Sequence, residues 1–143
     1  MQNRRNRGIM PVRILIADDS RTVRHSLHGL LEGHRDWVVC AEAVDGADAI
    51  AKAQQCKPDI VILDFFMPGM TGVEAGQVLS RLFPSVPVLI ITLYITAQLV
   101  ADAKSVGIKG AAPKSDTRQI IDGVEALMHK NTFFKESYPS EAF

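Results

Sequence analysis

A chain of 143 residues, 47% hydrophobic and 22% charged, can bury a core of its own but has no room for a second folded domain. Sixteen Lys and Arg balance sixteen Asp and Glu, so the molecule as a whole lacks the positive field that drives non-specific nucleic-acid binding. No apolar run approaches the ~20 residues of a membrane span, and the basic start enters a strand pattern without the apolar segment of a signal peptide; the expectation is a soluble, cytoplasmic protein.

Arg4, Arg5 and Arg7 make residues 1–10 a basic arm, read as a solvated leader, and Met10 just before Pro11 leaves open a start of translation there. Val12 to Ala17 is short, apolar and β-branched, the mark of a strand, and it ends in the pair Asp18-Asp19. Val23, Leu27, Leu30 and Leu31 then repeat at helical spacing behind Ser20, a helix-capping residue. Trp37 to Ala43 reads as a second strand and Ala47 to Cys56 as a helix.

The third strand, Ile60 to Leu63, stops abruptly at Asp64, and the turn-rich loop Phe65-Phe66-Met67-Pro68-Gly69-Met70-Thr71-Gly72 follows. A helix over Ala75 to Phe83 ends before Pro84, and a strand over Val86 to Ile91 ends in Thr92. Thr96 to Val106 is helical up to Gly107, and a weak strand over Ile108 to Ala112 leads to Lys114. Ile120, Val124, Leu127 and Met128 form the last helical stripe, capped by Ser115 or Asp116. Beyond it, Phe133, Phe134, Tyr138 and Phe143 put four of the nine aromatics in the last eleven residues. So aromatic a tail, residues 131–143, is expected to dock on its own domain or a partner; the competing reading is a linker remnant.

Five successive strand-helix pairs predict an α/β fold with one five-stranded parallel sheet and helices on both faces, because parallel neighbours need right-handed crossovers. In such sheets ligands bind beyond the carboxyl ends of the strands. Asp18, Asp19, Asp64, Thr92 and Lys114 all fall at those ends. Three carboxylates within about 5 Å would repel by roughly 3 kcal/mol per pair at an effective dielectric of 20. They need a cation or a raised pKa; a divalent metal is the natural solution, and an all-oxygen set without His or Cys suits Mg²⁺. Asp18 and Asp19 are adjacent, so the chain must turn for both to approach it. Asp64 is the candidate nucleophile toward a phosphoryl donor, with Lys114 and Thr92 of the right types to meet the phosphoryl oxygens.

Singly, each of these residues has an ordinary reading as a turn residue, strand filler or solvated lysine; their order along the chain carries the argument. Cys40 and Cys56 lie sixteen positions apart, without the spacing of a zinc or redox motif, and read as buried free thiols. The four histidines have no metal spacing, and Trp37 reads as packing.

These segments resemble the receiver domain of bacterial two-component response regulators, the CheY-like fold, over residues 11–130. The resemblance rests on Ile14-Leu15-Ile16-Ala17-Asp18-Asp19-Ser20, on Val44-Asp45-Gly46-Ala47-Asp48-Ala49-Ile50 and, above all, on Asp64 with its loop through Gly72. It implies the doubly wound, flavodoxin-like strand order 2-1-3-4-5. It implies that Asp64 accepts the phosphoryl group, that Asp19 binds Mg²⁺ directly and Asp18 mainly through water, and that the Phe66 backbone carbonyl is a further ligand. Thr92 would bind a phosphoryl oxygen and Lys114 would pair with the phosphoryl group. The partner implied is a sensor histidine kinase or phosphotransfer protein, with a second copy of the chain as a further candidate and no membrane. Beyond its own phosphorylation and dephosphorylation no enzyme activity is implied.

The sequence departs from the family in places. Where an aromatic usually precedes the lysine by three positions, and swings inward as the threonine moves, stands Ala111. Pro113 precedes Lys114, where many relatives have proline after it, and Ser115 follows, as in some receivers joined to LuxR-type DNA-binding domains. Bulky apolar Leu93 and Phe66 flank the threonine and the acceptor, and either crowd the acceptor or pack sideways, away from it. Two other readings are kept: the receiver part of a LuxR-type regulator whose DNA-binding domain lies outside this chain, since none fits after residue 130, and a phosphorylation-independent binding module. An aspartate-nucleophile phosphatase is disfavoured, because Asp18-Asp19-Ser20 lacks the Asp-x-Asp pattern.

Overall fold

In the computed structural model, which describes residues 10–135, six parallel strands lie in the order β2-β1-β3-β4-β5-β6. They are β1 (Val12–Ala17), β2 (Trp37–Ala43), β3 (Ile60–Asp64), β4 (Val88–Thr92), β5 (Gly110–Pro113) and β6 (Phe133–Phe134). The helices between them are α1 (Arg21–Glu32), α2 (Gly46–Cys56), α3 (Gly72–Leu82), α4 (Ala97–Ser105) and α5 (Thr117–Met128). The expected order 2-1-3-4-5 is present, and β6 extends it by one short strand. No helix among the described residues is long and apolar enough to cross a membrane.

Strand alternation sorts the core into two layers. Ile14, Ile16, Ile60, Ile62, Leu89 and Ile91 face α1 and α5, packing with Leu27, Leu31, Ile120, Val124 and Leu127. Leu15, Ala17, Val61, Leu63, Val88 and Ile90 face the other side, against small residues of α2, α3 and α4 such as Ala49, Ala53, Ala75 and Ala103. Successive side chains of an extended strand point to opposite faces, so strands covered on both sides read as continuous apolar runs.

β2 breaks this rule. Ile14 pairs with Val39 and Leu15 with Ala41, skipping Cys40. The extra residue is a bulge, and it inverts the parity of the strand. Trp37 and Val39 therefore join the α1/α5 layer while Ala41 and Ala43 join the opposite one.

The capping chemistry sets several boundaries. Ser20 accepts from Val23 N at 3.2 Å to start α1, and Asp116 rather than Ser115 caps α5, accepting from Gln119 N at 3.1 Å. α3 starts at Gly72, earlier than the expected Ala75, because Thr71 and Glu74 form a reciprocal capping box. β5 starts later than expected, at Gly110, since the Ile108 amide still bonds the Ala103 carbonyl of α4 at 3.0 Å.

β6 had no signal in the strand pattern. Its Phe133 amide bonds the Lys109 carbonyl at 2.9 Å, and Phe133 and Phe134 pair with Gly110 and Ala111. Phe133 is buried in the α1/α5 layer and Phe134 packs on the opposite one. A Cβ on Gly110 would lie 2.9 Å from the Phe133 carbonyl oxygen, and one on Gly123 would lie 3.2 Å from the Phe133 ring. Tyr138, Phe143 and the arginines of the basic arm lie outside the described residues.

Candidate functional site

The acidic residues meet because β1, β3, β4 and β5 are neighbours and all end on one edge of the sheet. Asp64 is the last residue of β3 and is 4% exposed. Thr92, 6% exposed, ends β4 between the strand of Asp64 and the strand that delivers Lys114. The Lys114 amide bonds the Thr92 carbonyl at 2.6 Å, which fixes where the lysine leaves β5.

Asp18 and Asp19 occupy the turn between β1 and α1. Asp18 is fully buried, and its Oδ1 accepts from the Ser20 amide at 2.8 Å, so the residue that caps α1 also orients this carboxylate. The Arg24 guanidinium donates to the Asp18 carbonyl at 2.8 Å and to Glu42 at 3.1 Å, tying the turn to β2. Asp19 is exposed. Asp18, Asp19 and Asp64 each place a carboxylate oxygen within 4.8 Å of the others.

Lys114 Nζ supplies the positive charge here, 2.9 Å from Asp18 Oδ2 and 3.2 Å from Asp64 Oδ2. Asp18 Oδ2 is buried, and the Lys114 ammonium is the charge it faces. Burial raises the Asp64 carboxyl above its usual range and the Asp18 charge adds to this, against the pull of Lys114 and the Phe66 amide. For Lys114, burial disfavours the charge, but Asp18 and Asp64 outweigh it and hold the ammonium above its ordinary value. The cluster fits a hard cation: oxygen donors only, and three carboxylates that one lysine cannot neutralise.

The loop after Asp64 closes tightly, with the Phe65 amide on Ile91 O at 2.9 Å and the Gly72 amide on Phe65 O at 2.8 Å. A Cβ on Gly72 would stand 2.6 Å from the Asp64 carbonyl oxygen, so only glycine fits beside the acceptor. The Phe66 ring, 71% exposed, meets Phe65 edge-on at 4.7 Å, and Leu93 is 64% exposed. Both side chains turn largely to solvent. Ala111 is fully buried in β5, paired with Phe134.

The sequence brought forward the charged residues of this site and the capping Ser20 that orients Asp18, but not Arg24. Arg24 acts through a backbone carbonyl from the second turn of α1, and nothing in its spacing marks it. A cavity of about 730 Å³ opens between Pro58, Pro84, Lys109 and Thr132, and none of the site residues lines it.

A parallel sheet of this strand order, with an acidic cluster and a lysine at its carboxyl edge, defines a receiver-type α/β domain. The model of the response regulator receiver domain matches residues 14–125, and the chain belongs to that family, the receivers of two-component signal transduction. It is 34% identical to the response regulator protein VraR of Staphylococcus saprophyticus over 90% of this chain and 59% of that protein. A two-component response regulator of the LuxR family from Aurantimonas sp. SI85-9A1 superposes with a TM-score of 0.83 at 28% identity, covering 92% of this chain and 93% of that one. CheY in the CheX-CheY-BeF3-Mg complex of Borrelia burgdorferi superposes with a TM-score of 0.79 at 25% identity, covering 86% and 93%. The chain spans 57%, 52% and 59% of the length of three curated relatives.

Proposed function

We propose that the chain receives a phosphoryl group on Asp64 from a histidine kinase or phosphotransfer protein, in a Mg²⁺-dependent reaction, and switches a protein-interaction surface in response. The observation that carries this reading is the buried Asp64 carboxylate, 3.2 Å from Lys114 and within 4.8 Å of two further carboxylates. The Borrelia burgdorferi relative, in complex with BeF3 and Mg, supports the same reading.

In the proposed step an Asp64 carboxylate oxygen attacks phosphorus, the phosphorus–nitrogen bond of the donor phosphohistidine breaks, and the leaving imidazole takes up a proton. Lys114 then exchanges its contact with the Asp64 carboxylate for the phosphoryl oxygens, and Thr92 offers its hydroxyl to another. Asp19 directly, Asp18 mainly through water, Asp64 and the Phe66 carbonyl would hold Mg²⁺, whose charge would offset that of the phosphoryl oxygens. Ser20 and Arg24 keep the Asp18 turn in place. The added charge of about −1.5 to −2 biases the switch. The chain turns over no other substrate in this reading, and it acts in the cytoplasm.

Residues 11–130 form the receiver unit in this proposal, with a basic arm over 1–10 and an aromatic tail over 131–143. The tail begins as β6, which supports docking on its own domain. A second reading, the receiver part of a LuxR-type transcription regulator, is favoured by the Aurantimonas relative and by the share of the curated relatives that the chain spans.

The test is the intact mass after incubation with Mg²⁺ and acetyl phosphate, beside Asp64→Asn and a metal-free control. A gain of one phosphoryl group that needs the metal and is lost in the variant is expected. No gain, with a cognate kinase also failing, would favour a phosphorylation-independent binding module.

A further inference from the structure

Cys40 and Cys56, unremarkable in the sequence, meet in the fold: their Sγ atoms are 2.7 Å apart, about 0.7 Å beyond a disulfide bond, although both are free thiols. Two features of the backbone bring them together. Cys40 is the bulge residue of β2, and alternation from Val39 puts its side chain on the α2 side of the sheet. Cys56 is the last residue of α2, and its carbonyl accepts from Arg13 Nη2 at 2.7 Å and Nε at 3.2 Å, which fastens that helix end to β1. Both cysteines are half-buried, so a small oxidant can reach them.

We infer that Cys40 and Cys56 are a dithiol–disulfide modification site, oxidised by low-molecular-weight disulfides to an intramolecular crosslink between β2 and the carboxyl end of α2. The Cys56 thiolate attacks one sulfur of the oxidant, whose other sulfur leaves as a thiolate. Cys40 then gives its proton to solvent and attacks Cys56 Sγ, expelling the second small thiolate. Two protein thiols lose two electrons and two protons, and one small disulfide becomes two thiols. Cys56 leads this sequence because burial, and then the contact with Cys56 itself, pushes the Cys40 thiol up to about 12. Once Cys56 carries the mixed disulfide, its thiol no longer raises Cys40. In a reducing compartment the pair rests as two thiols, and the crosslink records an oxidising excursion.

The full chain, reduced and folded, is incubated with oxidised glutathione, and mass and free thiols are followed with time, in buffer and in urea. Loss of both thiols is expected, with a mass about 2 Da lower, no retained glutathione, and formation at least tenfold faster folded than unfolded. Cys40→Ser should stop at the glutathione adduct of Cys56. Persisting thiols, products confined to glutathione adducts or crosslinked dimers, or equal rates in buffer and urea would each overturn the assignment.

Discussion

Asp64 Oδ2 and Lys114 Nζ stand 3.2 Å apart although their strands, β3 and β5, do not pair; Thr92 ends the strand that separates them. The lysine therefore reaches across a whole strand to a carboxylate that burial and Asp18 hold above its ordinary range. Such a pair is a weak source of net stability when intact and a costly one when halved, because the partner left behind is buried.

Replacing Lys114 with Met should accordingly destabilise the fold at neutral pH by about 1–3 kcal/mol, less than a fully buried pair because the side chain is 23% exposed. Urea unfolding checks this. Mg²⁺ should recover part of the loss, since it restores positive charge to the same carboxylates. A loss unaffected by Mg²⁺ would show that packing, not charge, is what the lysine contributes.

Mg²⁺ itself should raise the melting temperature of the wild-type chain, by mass action on the folded state alone, with about 2.7 kcal/mol gained at a hundredfold excess over Kd. Asp19→Asn should weaken this response at least tenfold while changing the metal-free stability little, since Asp19 is exposed. Equal Mg²⁺ titrations of variant and wild type would remove Asp19 from the binding set.

Gly110→Ala should cost about 1–3 kcal/mol by overpacking, because its Cβ would meet the Phe133 carbonyl at 2.9 Å, Leu127 at 3.0 Å and Leu89 at 3.1 Å. Deleting residues 132–143 should also destabilise the chain, by removing buried Phe133. Combined, the two should cost clearly less than their sum, since the deletion removes the nearest clash. Additive losses would mean that β6 does not dock.

The pH dependence should carry the signature of His28. Its bond to Glu42 at 2.8 Å raises its pKa above 6.5; burial, the next influence, opposes this, and Glu32 at 3.3 Å adds to the rise. Arg24 pairs with the same Glu42, and Lys52 Nζ bonds the Glu42 carbonyl. A raised folded pKa means that the stabilisation is fully present below about pH 6.5 and fades as pH rises through the folded value. Glu42, held below its ordinary range first by His28 and then by Arg24, adds a contribution lost as pH falls through its own lowered pKa. His28→Gln should flatten the alkaline side of the stability profile, measured by urea midpoints between pH 5.5 and 8.5. An unchanged slope would refute the coupling.

The loop after Asp64 and the strand ends were readable because β-α alternation forces all five carboxyl ends to one edge, so residues at those ends share a place before any contact is known. The fifth strand was readable only approximately, since Ile108 has a strand's side chain but is held by the end of α4. The weakest part of the reading was the tail: two residues of strand carry no period, and Phe133 docks only because Gly110 and Gly123, in other elements, leave it room.

The sequence by itself determined the order of the five strand-helix pairs, the two-layered core and the acidic and basic residues of the site, all consequences of periodicity and chain connectivity. Tertiary structure alone decided that β2 changes face at Cys40, that Cys40 meets Cys56, that Arg24 holds the Asp18 turn, and that Lys114 spans β4 to reach Asp64. Each of these rests on distances between residues far apart in the chain, which local propensity does not encode.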